Sequence, residues 1–221
     1  MRSIVVVFLF LVSCTFAQEQ VPFQGKLVYS IQIMDTSLRK IYPDKEMVIY
    51  TNDTLLRIEN ATDQLGQQVL IKHMLLNKSY LLLETPIDNY AIQTDHSTQK
   101  IDSFPYSFQK KWGKRKIAGI KANRLMVKHA AYDKPMEFLY IKNTSNHYLN
   151  AFTNFPGLLA SYYVVTVDGI FVYKLKSMET MVPQHDLFGI PSDFKKVTFD
   201  QFMDEIMNFN SEEPEGGNPH E

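Results

Sequence analysis

Several predicted strands in this chain are apolar on both faces, and that limits how they can be housed. Val69, Leu70, Ile71, Met74, Leu75 and Leu76 form one such run, and Tyr80–Leu83 forms another. A strand sends successive side chains to opposite faces, so a sheet wetted on one side alternates apolar with polar residues. These runs do not alternate. Their sheet must be covered on both sides, by a helix, by curvature or by a second layer.

Elsewhere the alternation is clear. Phe23, Gly25, Leu27, Tyr29, Ile31 and Ile33 alternate with Gln24, Lys26, Ser30 and Gln32, broken only by Val28. That period of two marks a half-buried strand. Shorter strands are predicted at Glu46–Tyr50, Leu55–Glu59, Tyr90–Gln93, Lys116–His129 and Glu137–Ile141. Val69–Leu76 and Ser79–Glu84 are joined by a turn at Asn77-Lys78. The clearest hairpin is Ser161–Val167, Asp168-Gly169, Ile170–Ser177, because Asp and Gly both tolerate positive φ. Near the end, Thr198 and Gln201 make a Thr-x-x-Gln capping box. Phe199, Phe202, Met203 and Ile206 then form one apolar stripe at helical spacing. Residues 94–109 read as a long Ser/Thr/Asp-rich loop, and 209–221 as a disordered acidic tail. Many strands on short turns, with one helix, predict a mainly β chain with minor α, built on an antiparallel sheet. No internal repeat interrupts this pattern, so residues 18–208 are expected to form a single β-rich domain.

The N-terminus reads as an export signal. Arg2 precedes an apolar run from Ile4 to Val12, and Thr15-Phe16-Ala17 offers small residues for cleavage before Gln18. Residues 1–17 are therefore expected to be a signal peptide. A competing site exists: Leu11-Val12-Ser13-Cys14 resembles a bacterial lipobox, in which Cys14 becomes the lipidated first residue. The apolar run before Cys14 is short, which favours the cut after Ala17. Cys14 is the only cysteine. Exported eukaryotic domains commonly carry disulfides, so the cysteine-free remainder points to the periplasm or outer envelope of a Gram-negative bacterium. No later stretch approaches the roughly 20 apolar residues that span a bilayer, so no transmembrane helix is expected. Loss of residues 1–17 removes one Arg from the 23 basic residues and none of the 24 acidic ones, leaving 22 against 24. That near balance gives no argument for nucleic-acid binding, which usually needs a strongly basic domain.

The sequence offers little chemistry. Its six His, at 73, 96, 129, 147, 185 and 220, lack any paired metal-ligand spacing. His185-Asp186 reads as a loop pair near Pro183. Ser-x-x-Lys occurs at Ser37/Lys40, Ser107/Lys110 and Ser192/Lys195 without the partner motifs that would make it catalytic. There is no G-x-S-x-G elbow and no phosphate-binding loop, so no catalytic residue, metal or cofactor is expected. Sequons begin at Asn52, Asn60, Asn77 and Asn143 and are read as mostly coincidence with an Asn- and Thr-rich surface, while Asp53-Thr54-Leu55 resembles a bacterial envelope O-glycosylation signal through a very short, weak pattern. One cluster stands out: Lys110, Lys111, Lys114, Arg115 and Lys116 surround Trp112. An exposed Trp among cations would touch an anionic lipid or glycan. The alternative, favoured on the sequence, is a solvated start of a strand with Trp112 packed inward.

Four short segments carry a resemblance. Phe23-Gln-Gly-Lys-Leu-Val-Tyr opens the domain, Lys114-Arg-Lys-Ile-Ala-Gly-Ile-Lys-Ala begins a middle strand, Phe155-Pro-Gly-Leu-Leu precedes a hairpin, and Phe188-Gly-Ile-Pro-Ser-Asp-Phe closes the sheet. Their order resembles exported, uncharacterised envelope proteins of the GLPGLI type. Phe155-Pro156-Gly157-Leu158-Leu159 lacks the leading Gly-Leu and the final Ile of the full motif. The resemblance implies a curved half-barrel like that of periplasmic lipoprotein carriers, closed by the C-terminal helix, and it brings no catalytic residues. Two functions follow as expectations. The first is an apolar ligand, lipid or lipoprotein, held in a half-barrel cavity. The second is a non-catalytic structural or protein-interaction domain of the envelope. A hydrolase with an unrecognised site ranks below both.

Overall fold

The computed structural model describes residues 22–52, 54–62, 66–94, 106–146, 148, 152 and 154–212. The predicted signal peptide, most of the predicted tail and residues 95–105 of the predicted loop lie outside the described residues.

Twelve strands make one open, curved sheet. They are β1 (Gly25–Ile33), β2 (Lys45–Thr51), β3 (Leu55–Thr62), β4 (Gly66–His73), β5 (Lys78–Glu84), β6 (Asn89–Gln93), β7 (Ser107–Ile117), β8 (Ile120–Lys128), β9 (Met136–Lys142), β10 (Gly157–Thr166), β11 (Gly169–Thr180) and β12 (Lys195–Thr198). The spatial order is β12-β6-β5-β4-β3-β2-β1-β11-β10-β9-β8-β7. Every pairing is antiparallel except β12 with β6, which is parallel. One helix, α1 (Phe199–Glu212), follows β12.

Most of the sheet is a run of hairpins, and local chemistry sets where they turn. The β10–β11 hairpin forms as its sequence predicts, but the turn lies one residue earlier. Thr166 pairs with Gly169, so Val167 and Asp168 make the turn. Gly169 follows at φ 137°, a value that disfavours any side chain. The β4–β5 turn likewise comes early, at Met74–Asn77, with Asn77 at φ 49°. Leu75 and Leu76 therefore stand exposed in a turn and add nothing to the two-sided apolar surface attributed to that strand. The predicted strand over Lys116–His129 is instead a hairpin. Ala118 and Gly119, at φ 47° and 79°, turn β7 into β8. Two consecutive positive φ values match the twist of a tight hairpin, but Ala seldom takes that conformation, so its sequence hides the turn.

The curvature is visible in one hydrogen bond. Tyr29 Oη on β1 donates to the carbonyl of Leu159 on β10 at 2.8 Å, although β11 lies between them. On a flat sheet those strands would sit roughly 10 Å apart, with side chains perpendicular to the plane. The sheet must bend for Tyr29 to reach. The concave side then fills with aromatics. Tyr148, Phe152 and Phe155 from the β9–β10 connection are buried against it. Phe152 lies 5.2 Å from Tyr162 between ring centroids, and Phe155 stacks on Phe138 at 5.7 Å and on Phe108 at 4.8 Å. Such pairs add about 0.5–1.5 kcal/mol each beyond the area they bury. Gly157 lets the connection return, because a Cβ there would lie 2.2 Å from the carbonyl oxygen of Ile141.

The strands with two apolar faces are covered on both. Val69, Ile71, Leu82 and Ala91 pack under Ile190 and Phe194, from the segment between β11 and β12 that the sequence reading assigned to closing the sheet. On the opposite face, Leu83, Tyr90, Ile92 and Val197 meet Phe202 of α1. The capping box forms as predicted: Thr198 N donates to Gln201 Oε1 at 2.9 Å, and Gln201 N donates to Thr198 Oγ1 at 3.2 Å. The helix continues through Glu212, past the expected domain end at residue 208.

Candidate functional site

The basic cluster lies on β7, one edge of the sheet. Ser107–Lys128 spans the β7–β8 hairpin and holds eight Lys or Arg and no Asp or Glu. An exposed edge strand invites unwanted pairing, and lysines together with a bulge are common ways to blunt it. Both devices are present. The register slips between Lys111 and Lys114, because Lys111 faces Arg124 while Lys114 faces the adjacent Asn123. Trp112 and Gly113 are left out of the ladder, with Gly113 at φ 91°.

That bulge corrects the favoured sequence reading of Trp112. Its side chain is 95% exposed rather than packed inward, because the bulge takes it out of the alternation that would have buried it. The bulge is braced from below. Arg124 Nη1 donates to the carbonyl of Trp112 at 3.2 Å, and Arg124 Nε donates to Glu137 Oε1 at 2.8 Å. Glu137 also pairs with Arg115 at 2.9 Å and with Lys111 at 3.7 Å. Partial desolvation pushes the Glu137 carboxyl up, but the Arg124 hydrogen bond and the charges of Arg115, Arg124 and Lys111 outweigh it. The net effect holds the group below the ordinary carboxylate value.

Residues opposite one another in a ladder share a face, and this divides the cations. Lys111 and Arg115 share the face of Arg124 and Glu137 and are partly neutralised there. Lys110, Lys114 and Lys116 lie opposite Leu125, Asn123 and Lys121, on the other face. Lys110, Lys114, Lys116 and Lys121 are all exposed, and none has an acidic partner among the described residues. Five of these cations stand out as a cluster in the sequence, which does not sort them by face, and Lys121 and the bracing residues Arg124 and Glu137 lie outside that cluster. Their acid-free run from residue 107 to 128 was the signal available.

A cleft of about 370 Å³ opens at the proximal end of the same hairpin, lined by Ser107, Phe108, Gln109, Met126, Lys128 and Pro135. Among the described residues that lining holds no His, Asp or Glu beside Ser107, so none of them is a base placed to activate the hydroxyl. The described histidines serve local structure: His73 Nδ1 accepts from Leu76 N at 3.3 Å, and His129 Nδ1 accepts from Ala131 N at 3.2 Å. His185 begins a short 3-10 turn with Asp186. His96, His147 and His220 lie outside the described residues. Among the described residues no group of three or more His, Cys, Asp or Glu is placed to hold a metal ion. No helix among them is long and apolar enough to cross a membrane.

No family model matches the chain, and no curated protein is similar to it. Among solved structures, two of PNGF-II are similar. In the C2 space group the TM-score is 0.49 at 13% identity, covering 84% of this chain and 32% of that one. In the P21 space group the TM-score is 0.46 at 13% identity, covering 82% and 32%. The chain thus spans about a third of the length of these structures.

Proposed function

We propose that this protein is a non-catalytic interaction domain of the bacterial envelope, of GLPGLI type, that meets an anionic partner through its β7–β8 hairpin. One observation carries the reading. An exposed Trp stands on a braced bulge beside four lysines that no acid among the described residues neutralises. Cations of one sign gathered on one edge attract an oppositely charged partner more strongly than the near-zero net charge suggests. The export signal expected at residues 1–17 supports a place in the periplasm or outer envelope. Binding to heparin-agarose tests the reading. The wild-type protein should be retained at low ionic strength and elute late in a salt gradient, whereas K110S/K114S/K116S/K121S should elute early. Flow-through of the folded wild type at low salt would sink the proposal.

An apolar ligand on the concave side is a second reading. Ile58, Leu70 and Leu81 lie in line across β3, β4 and β5, half-buried, between the aromatic cluster and α1. It ranks lower because Tyr148, Phe152 and Phe155 already occupy much of the concave side. Uptake of a fluorescent fatty acid by delipidated protein, abolished in Leu70→Asp, would raise it above the first.

A further inference from the structure

The proposed anionic partner leaves its chemical class open, and the hairpin narrows it. We infer that the β7–β8 hairpin is a membrane-surface anchor: Trp112 enters the headgroup layer of an anionic phospholipid bilayer while Lys110, Lys114, Lys116 and Lys121 pair with lipid phosphates. This inference rests on the reading that the hairpin meets an anionic partner.

The argument starts from Trp112. Indole combines an apolar body with one N–H donor and prefers the boundary between hydrocarbon and water. Holding it 95% exposed in water serves no packing purpose, yet the backbone beneath it is fixed by Arg124. A fixed, fully exposed Trp is pre-organised for a surface rather than left over from folding. The neighbouring lysines are exposed along an edge strand, on the face that Leu125 shares with Phe138 but beyond the aromatic cluster. They suit an extended plane of phosphates better than one enclosed ligand.

Other polyanions fit less well. Single-stranded nucleic acid is bound on platforms where successive bases stack on several aromatics. Between residues 107 and 128 the aromatics are Phe108 and Trp112, and Phe108 is already stacked on Phe155. A protein strand adding to β7 would meet the Trp112-Gly113 bulge midway along the edge. A second copy would set lysines against lysines.

Charge across the molecule sets the orientation. Helix α1 carries four acidic residues, Asp200, Asp204, Glu205 and Glu212, and no Lys or Arg. It packs on β6 and β12, at the end of the strand order away from β7. Lys195 of β12 pairs with Glu205, so the acid left on α1 opposes a negative membrane only weakly, and the basic β7 edge sets the orientation. A long basic edge gains roughly fivefold in membrane affinity for each lysine near an anionic surface.

Trp112 is the only tryptophan, so its fluorescence reports this site alone. The full chain is mixed with vesicles of phosphatidylcholine alone or of equal parts phosphatidylcholine and phosphatidylglycerol. Trp112 emission should shift to the blue only with the anionic vesicles, and the shift should be lost at high salt. K110S/K114S/K116S/K121S should bind roughly 600-fold more weakly, taking about fivefold per lysine. Trp112→Ser should fail to float with anionic vesicles while keeping the wild-type circular dichroism. Retention on heparin with no response to anionic vesicles overturns the lipid assignment and leaves the anionic-partner reading standing. Failure in both assays removes both. Emission that responds to an oligonucleotide or an acidic polypeptide, but not to vesicles, also overturns the assignment.

Discussion

At the β8–β10 end of the sheet, the concave face is packed by aromatics that the chain supplies from its own β9–β10 connection. Phe138 is wholly buried there, between Phe152, Phe155 and Tyr163. At the β5–β6 end there is no such plug. One face carries the segment around Ile190 and Phe194, and the other carries α1. The helix holds on through Phe202, 5.2 Å from the Tyr90 ring, and through Glu205, which accepts from Tyr90 Oη at 3.0 Å. Phe199, Met207 and Phe209 remain exposed. The difference teaches where cooperativity resides. A core of interlocked rings fails as a unit, whereas a helix held by a few contacts opens locally at lower cost.

Mutations test that contrast directly. Phe138→Ala should cost about 3–5 kcal/mol, the usual range for a buried Phe, read from the urea midpoint of global unfolding. A cost below about 1 kcal/mol would mean the aromatic cluster is not the cooperative core. Phe202→Ala removes a half-buried side chain and should cost about 1–2 kcal/mol. Its signature is local: α1 amides should exchange with solvent much faster while β10 amides stay protected. Equal acceleration in both would merge the two regions into one unit.

The β7–β8 brace should show a smaller, pH-dependent effect. The folded protein holds Glu137 below its ordinary pKa, so the unfolded chain binds the proton first as pH falls. The stabilisation is therefore present above about pH 4.3, the ordinary Glu value, and is lost as pH drops through the depressed value. Thermal melts of wild type and Glu137→Gln should differ at pH 6 and converge toward pH 3, with a gap on the order of 1 kcal/mol for this partly buried cluster. A gap independent of pH would remove the charge explanation. Least of all, Trp112→Ser should change stability by less than about 0.5 kcal/mol. A larger loss would show that the side chain packs against something and is not held out for a surface.

Much of the strand pattern was legible because it is local. The period of two across Phe23–Ile33 places β1 to within two residues, and Thr198 with Gln201 marks the start of α1. Hairpin turns were legible only where the turn residue advertised itself. Asp168-Gly169 did so; Ala118-Gly119 did not, and the strand expected over Lys116–His129 runs straight through the turn into β8. Leu75 and Leu76 misled in the other direction, since two exposed leucines in a turn look like strand core. Among the site residues, the lysines and Trp112 were visible as a cluster, but Trp112 was placed inward because hydrophobicity alone favours burial. Only the slip in register against β8 turns it out.

From its sequence alone this protein was determined to be mainly β, helix-capped near the end, and in need of cover on both faces of some strands. Those properties follow from alternation, capping and apolar surplus, which neighbouring residues decide among themselves. The tertiary structure decided what provides the cover, which strand became the edge, and which cations Glu137 collects. These depend on contacts between residues far apart in the chain, such as Tyr29 with Leu159 and Arg57 with Leu187. Net charge shows the same division: a sum near zero is a property of composition, whereas the separation of a basic edge from an acidic helix exists only once the strands take their order.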